Sequence, residues 1–167
     1  MSGTPSGHWL RIAATVASSR SDVVPIETLM ARVSVAGFDA LLVAWITKYR
    51  YRVVRPQVYL SRVLHRAWQP YLPTPPFPEY PSGHSTLSAA CAAVLTTALC
   101  RVPFQSDTRG PGMGEPVLRR SFPDVEAAAR EASESRLYAG IHYQPSLAAG
   151  LSLGQAVAAG SSVLAQG

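Results

Sequence analysis

Apolar residues recur along most of the chain at spacings of three and four, the period of a helix. No block alternates with the period of two that marks a half-buried strand. The spacing predicts a short amphipathic helix over 9–18 and a long one from 26 to about 51. Leu29, Val33, Phe38, Leu41, Leu42 and Trp45 mark the expected apolar positions of the long helix. Pro56 disfavours helical backbone at Arg55, so that helix must end near Val54. A further helix is expected over 57–68, and six prolines within 70–81 impose an extended loop. The next helix opens at 84–86 and runs to about 99. Residues 101–120 are polar and carry glycine and proline, which predicts a surface loop. The segment 122–139 is amphipathic and stops at Gly140, a suitable helix end. Pro145 then suits the first turn of a last helix reaching about 165. The expected fold class is all-α, a helical bundle forming one domain over 1–167.

Composition narrows this picture. Of 167 residues 47% are hydrophobic and 15% charged, which suits a chain with a buried core and not a disordered one. A membrane span needs about 20 mostly apolar residues. The one charge-free candidate, 146–167, is diluted by serine, glycine and glutamine, so a soluble chain without a span is expected. Cys91 and Cys100 lie nine apart in one expected helix, on opposite sides of it, and cannot bridge. They read as two small buried residues in a reducing compartment. Arg11 interrupts the apolar stretch near the start, which argues against a signal peptide and for a cytoplasmic location; an organelle transit segment stays open.

The net charge of +5 is local. No acid lies between Asp39 and Glu79, an interval that holds Lys48, Arg50, Arg52, Arg55, Arg62 and Arg66. Such a cluster calls for an anionic partner. Nucleic acid is a poor one, because its binders spread basic residues over a face with stacking side chains between them. The chain has fourteen arginines and a single lysine, which draws attention to Lys48.

Three short motifs carry candidate chemistry. Lys48 and Arg55-Pro56 stand nearly two helical turns apart, so both cations can project on one side. Pro81-Ser82-Gly83-His84 opens a helix, where free N–H groups and a serine hydroxyl suit an anion and glycine lets it approach closely. Ser135-Arg136 is followed by His142 in a corner between Gly140 and Pro145. Each alone has a plainer reading as a basic helix end, a helix start or a structural histidine. The second motif is also duplicated as Pro5-Ser6-Gly7-His8, which reads as a helix-capping coincidence with His8 away from any site. Together the three supply three cations, donors at a helix start and two histidines, an inventory for a tetrahedral oxyanion with one nitrogen nucleophile and one acid/base.

This combination, spanning 48–146, resembles the superfamily of type 2 phosphatidic acid phosphatases and vanadium-dependent haloperoxidases. The run Pro75-Pro76-Phe77-Pro78-Glu79-Tyr80-Pro81-Ser82-Gly83-His84 is more similar to its soluble haloperoxidase branch, as are the approach from Trp45 to Lys48 and Gly140-Ile141-His142-Tyr143. The resemblance implies a helical bundle, vanadate as cofactor with phosphate competing for its site, and oxidation of halide by hydrogen peroxide to hypohalous acid acting on a small organic substrate. It makes His142 the nitrogen ligand of the metal. Lys48, Arg55 and Arg136 would hold the equatorial oxygens, Ser82 and the Gly83 N–H would complete the cradle, and His84 would be the acid/base. Lys48 would also polarise bound peroxide.

The pattern departs from the family twice. The family usually has an aspartate four residues after the ligand histidine, and this chain has Ser146. A neutral partner is expected to hurt a phosphohistidine more than a metal ligand, which favours a peroxidase over a soluble acid phosphatase of the same superfamily. Family haloperoxidases are also longer, with a helical half ahead of the lysine motif, so a minimal or N-terminally truncated bundle is expected. Its uncovered apolar faces would invite self-association. A member that binds oxyanions without turnover is the remaining alternative.

Overall fold

The computed structural model describes residues 4–20, 24–65, 67–109 and 117–164. Helix α1 (Pro5–Ser18) starts where the Thr4 side chain accepts the Gly7 N–H at 3.2 Å. It buries Trp9, Ile12, Ala13, Val16 and Ala17, one stripe of a helix, and the Trp9 indole N–H donates to Ser88 Oγ at 2.9 Å. Helix α2 (Ile26–Tyr51) ends at Arg52 in the left-handed region, with φ 50°, four residues before Pro56. Helix α3 (Pro56–Arg62) is shorter than the expected 57–68. The proline-rich segment that follows is extended, and helix α4 (Gly83–Leu99) begins directly after it.

Helix α4 is apolar all round and buries both sides of itself, as expected of a helix at the centre of a bundle. Helices α2, α5 (Val125–Tyr138), α6 (Gln144–Leu164) and α1 pack around it. The closest seam is with α6, because Gly150 and Gly154 bring the two backbones together. A Cβ at Gly150 would stand 2.7 Å from Ser82 O, and one at Gly154 would stand 2.2 Å from Thr86 O. Helix α5 is capped by Asp124, which accepts the Ala127 N–H at 2.7 Å. It closes through Gly140 at φ 74°, where any Cβ would meet the Trp68 ring at 2.6 Å.

Several sequence expectations differ from the fold in detail. Residues 101–120 are not only loop: strands β1 (Phe104–Arg109) and β2 (Val117–Phe122) form an antiparallel hairpin. Phe104 stacks on Phe122 at its base and Arg119 pairs with Asp107 at 3.0 Å; these cross-strand pairs were not legible as alternation. Phe122 therefore belongs to a strand and not to the start of α5. On α2 the buried stripe consists of Leu29, Val33, Ala36, Gly37, Ala40, Ala44 and Lys48. Small residues face α4, while Phe38 and Leu42 point outward, 68% and 50% exposed. Cys91 is buried and its thiol is pushed up to about 12 by burial, but Cys100 is exposed at the end of α4 with φ 60°. Among the described residues, the helical stretch long and apolar enough to cross a membrane is Ile26–Arg62 and not the C-terminal one. It breaks between Arg52 and Pro56, and its inner face belongs to the core.

Candidate anion-binding site

The proline-rich loop lies where the end of α2, the start of α4 and the start of α6 meet, and buried charges hold it there. Lys48 is fully buried, and its Nζ donates to the carbonyls of Pro78 (3.1 Å), Glu79 (2.9 Å) and Pro81 (2.5 Å). Those three bonds use all three protons of the ammonium. Burial, with Arg55 nearby, lowers Lys48 to about 8. Arg55 is also buried. Its Nε donates to Phe77 O at 3.1 Å, and one terminal nitrogen reaches both Ile141 O (2.8 Å) and His142 Nε2 (3.1 Å).

Glu79 is the residue that sequence reasoning missed. It is fully buried, with its N–H on Val53 O at 2.9 Å and its carbonyl on Lys48. One carboxylate oxygen accepts from His142 Nδ1 at 2.6 Å and from the Tyr143 N–H at 3.0 Å, and the other accepts from Ser146 Oγ at 2.6 Å. Burial pushes this carboxyl up, but the hydrogen bonds from His142, Ser146 and Tyr143 outweigh burial and leave it below the usual glutamate value. The expectation that Ser146 is the neutral partner of His142 is thus replaced: the serine hydroxyl bonds Glu79, and a carboxylate bonds the histidine. A visible signal did exist. Glu79 is the first acid after Asp39, set among prolines in an apolar stretch, where an acid needs a reason.

Ser82 caps α4, its hydroxyl accepting the Ser85 N–H at 3.3 Å, and its own N–H donates to Ser146 O at 3.0 Å. Gly83 follows with the Trp45 ring above it; a Cβ there would stand 3.3 Å from the ring. His84, one residue further, is pushed down to about 4 by burial and by the charges of Arg136, His142, Lys48 and Arg55. Burial likewise lowers His142, with Arg55 and Lys48 adding to it and Glu79 opposing. Both imidazoles are therefore neutral at neutral pH. Arg136 spends its Nε on Ser135 Oγ at 3.0 Å, and among the described residues its terminal nitrogens donate to no protein group.

Arg55, Gly83, His84, Arg136 and His142 line one cavity of about 420 Å³, with Leu41, Trp45, Phe77, Leu87 and Ile141 among its apolar walls. Lys48 and Ser82 lie behind that wall, so Lys48 Nζ makes no direct opening to the cavity in this conformation. The other cations of the cluster are divided: Arg50, Arg52 and Arg62 are exposed, and Arg66 falls outside the described residues. His8 does not line the cavity and pairs with Arg11 at 3.4 Å. Ser6 does line it, however, and the helix start is served by Thr4 rather than by Ser6.

Among the described residues, the cavity wall holds two guanidinium groups, two imidazoles and a helix start, and no carboxylate. Among the described residues no three His, Cys, Asp or Glu side chains gather as a metal cluster. Such a donor set receives an anion, with a lone histidine nitrogen in reach of it.

Fold and cavity together define a helical-bundle protein with a basic, histidine-bearing pocket. Residues 59–166 match the family model of the VCPO second helical-bundle domain. The chain belongs to that family, and with it to the vanadium haloperoxidase superfamily. Its fold is similar to the crystal structure of the first bacterial vanadium-dependent iodoperoxidase, with TM-score 0.86 and 37% identity over 95% of this chain and 38% of that one. It is similar in fold to a holo-type bacterial vanadium-dependent chloroperoxidase, with TM-score 0.82 and 21% identity over 97% and 41% of the two chains. An apo-type structure of a bacterial vanadium-dependent chloroperoxidase gives TM-score 0.78 and 21% identity over 96% and 42%. The chain thus spans about two fifths of the length of these structures. No curated protein matches the sequence.

Proposed function

We propose that this chain carries the vanadate-binding half of a haloperoxidase-type site that oxidises halide with hydrogen peroxide. The observation that carries the reading is the cavity itself: Arg55, Arg136, His84 and His142 face one space, with no acid among the described residues of its wall. The residues suit vanadate on their own chemistry. The terminal nitrogens of Arg136, with no described protein partner, are charged donors for an oxyanion, and the Gly83 N–H sits at the first turn of α4. His142 donates Nδ1–H to the Glu79 carboxylate, which leaves the lone pair on Nε2 beside Arg55. Nε2 is the atom that would hold the metal. When bound, vanadate supplies the Lewis-acid activation of hydrogen peroxide.

The chain's own residues bind, orient and move protons. Arg55 and Arg136 neutralise the anion, and Ser82 sets the start of α4 so that Gly83 and His84 face the cavity. An anion there offsets the cations that depress His84, and this brings its pKa up towards the range of a useful base. Neutral His84 then takes a proton from incoming hydrogen peroxide. Lys48 acts through its charge and by tying the loop, since its three N–H groups already have acceptors. Leu41, Trp45, Phe77 and Leu87 give the walls an apolar surface, which lowers the local dielectric and strengthens charge interactions beside it.

With a carboxylate on His142, the sequence argument against a phosphatase loses its premise, and the preference rests on the kinship with haloperoxidases. The test is to assay the purified chain, with and without orthovanadate, for bromide oxidation by hydrogen peroxide and for phosphate-ester hydrolysis. Vanadate-dependent bromide oxidation that His142→Ala abolishes is expected. Ester hydrolysis that vanadate inhibits would assign a phosphatase, and neither activity in a folded sample would assign a binding-only member.

A further inference from the structure

We propose that Glu79 is the positioning residue of His142, bearing from the proline-rich loop the charge that the family usually carries four residues after the histidine. This rests on the reading of His142 as the metal-holding nitrogen. The carboxylate is fully buried, and three donors from the α6 end of the site converge on it: His142 Nδ1, the Tyr143 N–H and Ser146 Oγ. Because both carboxylate oxygens act as acceptors, Nδ1 must carry the proton and Nε2 must keep its lone pair.

The backbone of the same residue is pinned at two further points, its N–H to Val53 O and its carbonyl to Lys48 Nζ. Glu79 thus joins the end of α2 to the start of α6, and the side chain has a fixed place from which to aim the ring. Ser146 occupies the position of the family aspartate but turns its hydroxyl to Glu79, at 2.6 Å. In this chain Glu79 carries the charge, and the Ser146 hydroxyl supports it.

The two positions should then be exchangeable but not additive. Ser146→Asp alone puts a second carboxylate against the first, and two such groups in contact cannot both ionise. It should weaken orthovanadate binding several-fold. Glu79→Gln should weaken it by about 10- to 100-fold, the usual loss when the group behind a ligand histidine is changed. Adding Ser146→Asp to Glu79→Gln should restore affinity to within about three-fold of the parent.

Calorimetric titration with orthovanadate reads these affinities, and nitrogen-15 NMR of the histidine rings reads the tautomer without any turnover. The expected parent spectrum has His142 as a single Nδ1–H form. An Nε2–H form in the parent would overturn the proposal even if no variant folds. So would a double variant no tighter than Glu79→Gln, or a Ser146→Asp chain that binds more tightly than the parent. If the parent shows the expected tautomer and binds no vanadate, the proposed function fails while the role of Glu79 in fixing the ring stands.

Discussion

The tetrapeptide Pro-Ser-Gly-His occurs twice, and the two copies have different fates. In the first, Thr4 caps the helix, so Pro5 is the first helical residue and His8 falls a full turn in, bonded to Arg11. In the second, the serine itself is the cap, so glycine and histidine are the first two helical residues. That shift of register puts Gly83 and His84 at the free N–H groups of α4, facing the cavity. The surroundings differ as well. The first copy brings only Pro5 and Ser6 to the cavity wall, with His8 off it, whereas the second is held between the Lys48 clamp on one side and the α6 glycine seam on the other. The four letters do not by themselves suit an anion; the cap register and the buried cations around the second copy are what distinguish it.

The clamp is where this difference should be largest. Lys48→Met removes the donor from three loop carbonyls and should cost about 3–5 kcal/mol of unfolding free energy. Arg11→Ala, beside the first copy, should stay within about 0.5 kcal/mol. Urea denaturation of both checks this. The seam comes next. Gly150→Ala forces a Cβ against the Ser82 carbonyl, a backbone atom that cannot turn away, and should cost about 3 kcal/mol. Gly7→Ala meets only the Thr4 hydroxyl at 3.1 Å and gains helix propensity, so it should change stability by less than about 1 kcal/mol.

Acid separates the two histidines. His84 is lowered from 6.5 to about 4, so between those values the unfolded chain binds more protons than the folded one. Stability is full above 6.5 and is lost as pH falls towards 4, by about 3 kcal/mol from this group. His8 is lowered in the same direction by burial and Arg11. His84→Ala should flatten the pH dependence of thermal unfolding more than His8→Ala. The smallest contrast concerns the caps. Ser82→Ala and Thr4→Ala should each cost about 1 kcal/mol, while Ser6→Ala, inside the helix, should cost less than about 0.5 kcal/mol.

What was legible in the sequence follows the same physics. Helix α2 and its end were legible because Pro56 acts locally, and α5 because Gly140 does. The combination of motifs, and no single spacing, leads to expecting Lys48, Arg55, Ser82, Gly83, His84, Arg136 and His142 in one pocket; Arg55, Gly83, His84, Arg136 and His142 line the cavity, while Lys48 and Ser82 lie behind its wall. The hairpin was missed because its stability lies in Phe104 against Phe122 and Arg119 against Asp107, pairs fixed by register and not by pattern. Glu79 was missed for a related reason. Its partners are at 142, 143 and 146, and nothing local to residue 79 shows that a histidine will stand against it. The inner face of α2 was misread because the residues that fit a tight helix crossing are alanines and a glycine, which hydrophobic pattern ranks below the exposed Phe38 and Leu42.

The central claim is that the second copy, and not the first, is the anion site. Titrating the nitrogen-15-labelled chain with orthovanadate tests it residue by residue. The amide signals of Gly83 and His84 and the ring signals of His142 should move together along one binding curve and by the largest amounts, with phosphate competing, while the His8 ring, off the cavity wall, stays in place. Movement at Gly7 and His8 with Gly83 unaffected, or no movement at either copy, would contradict the account.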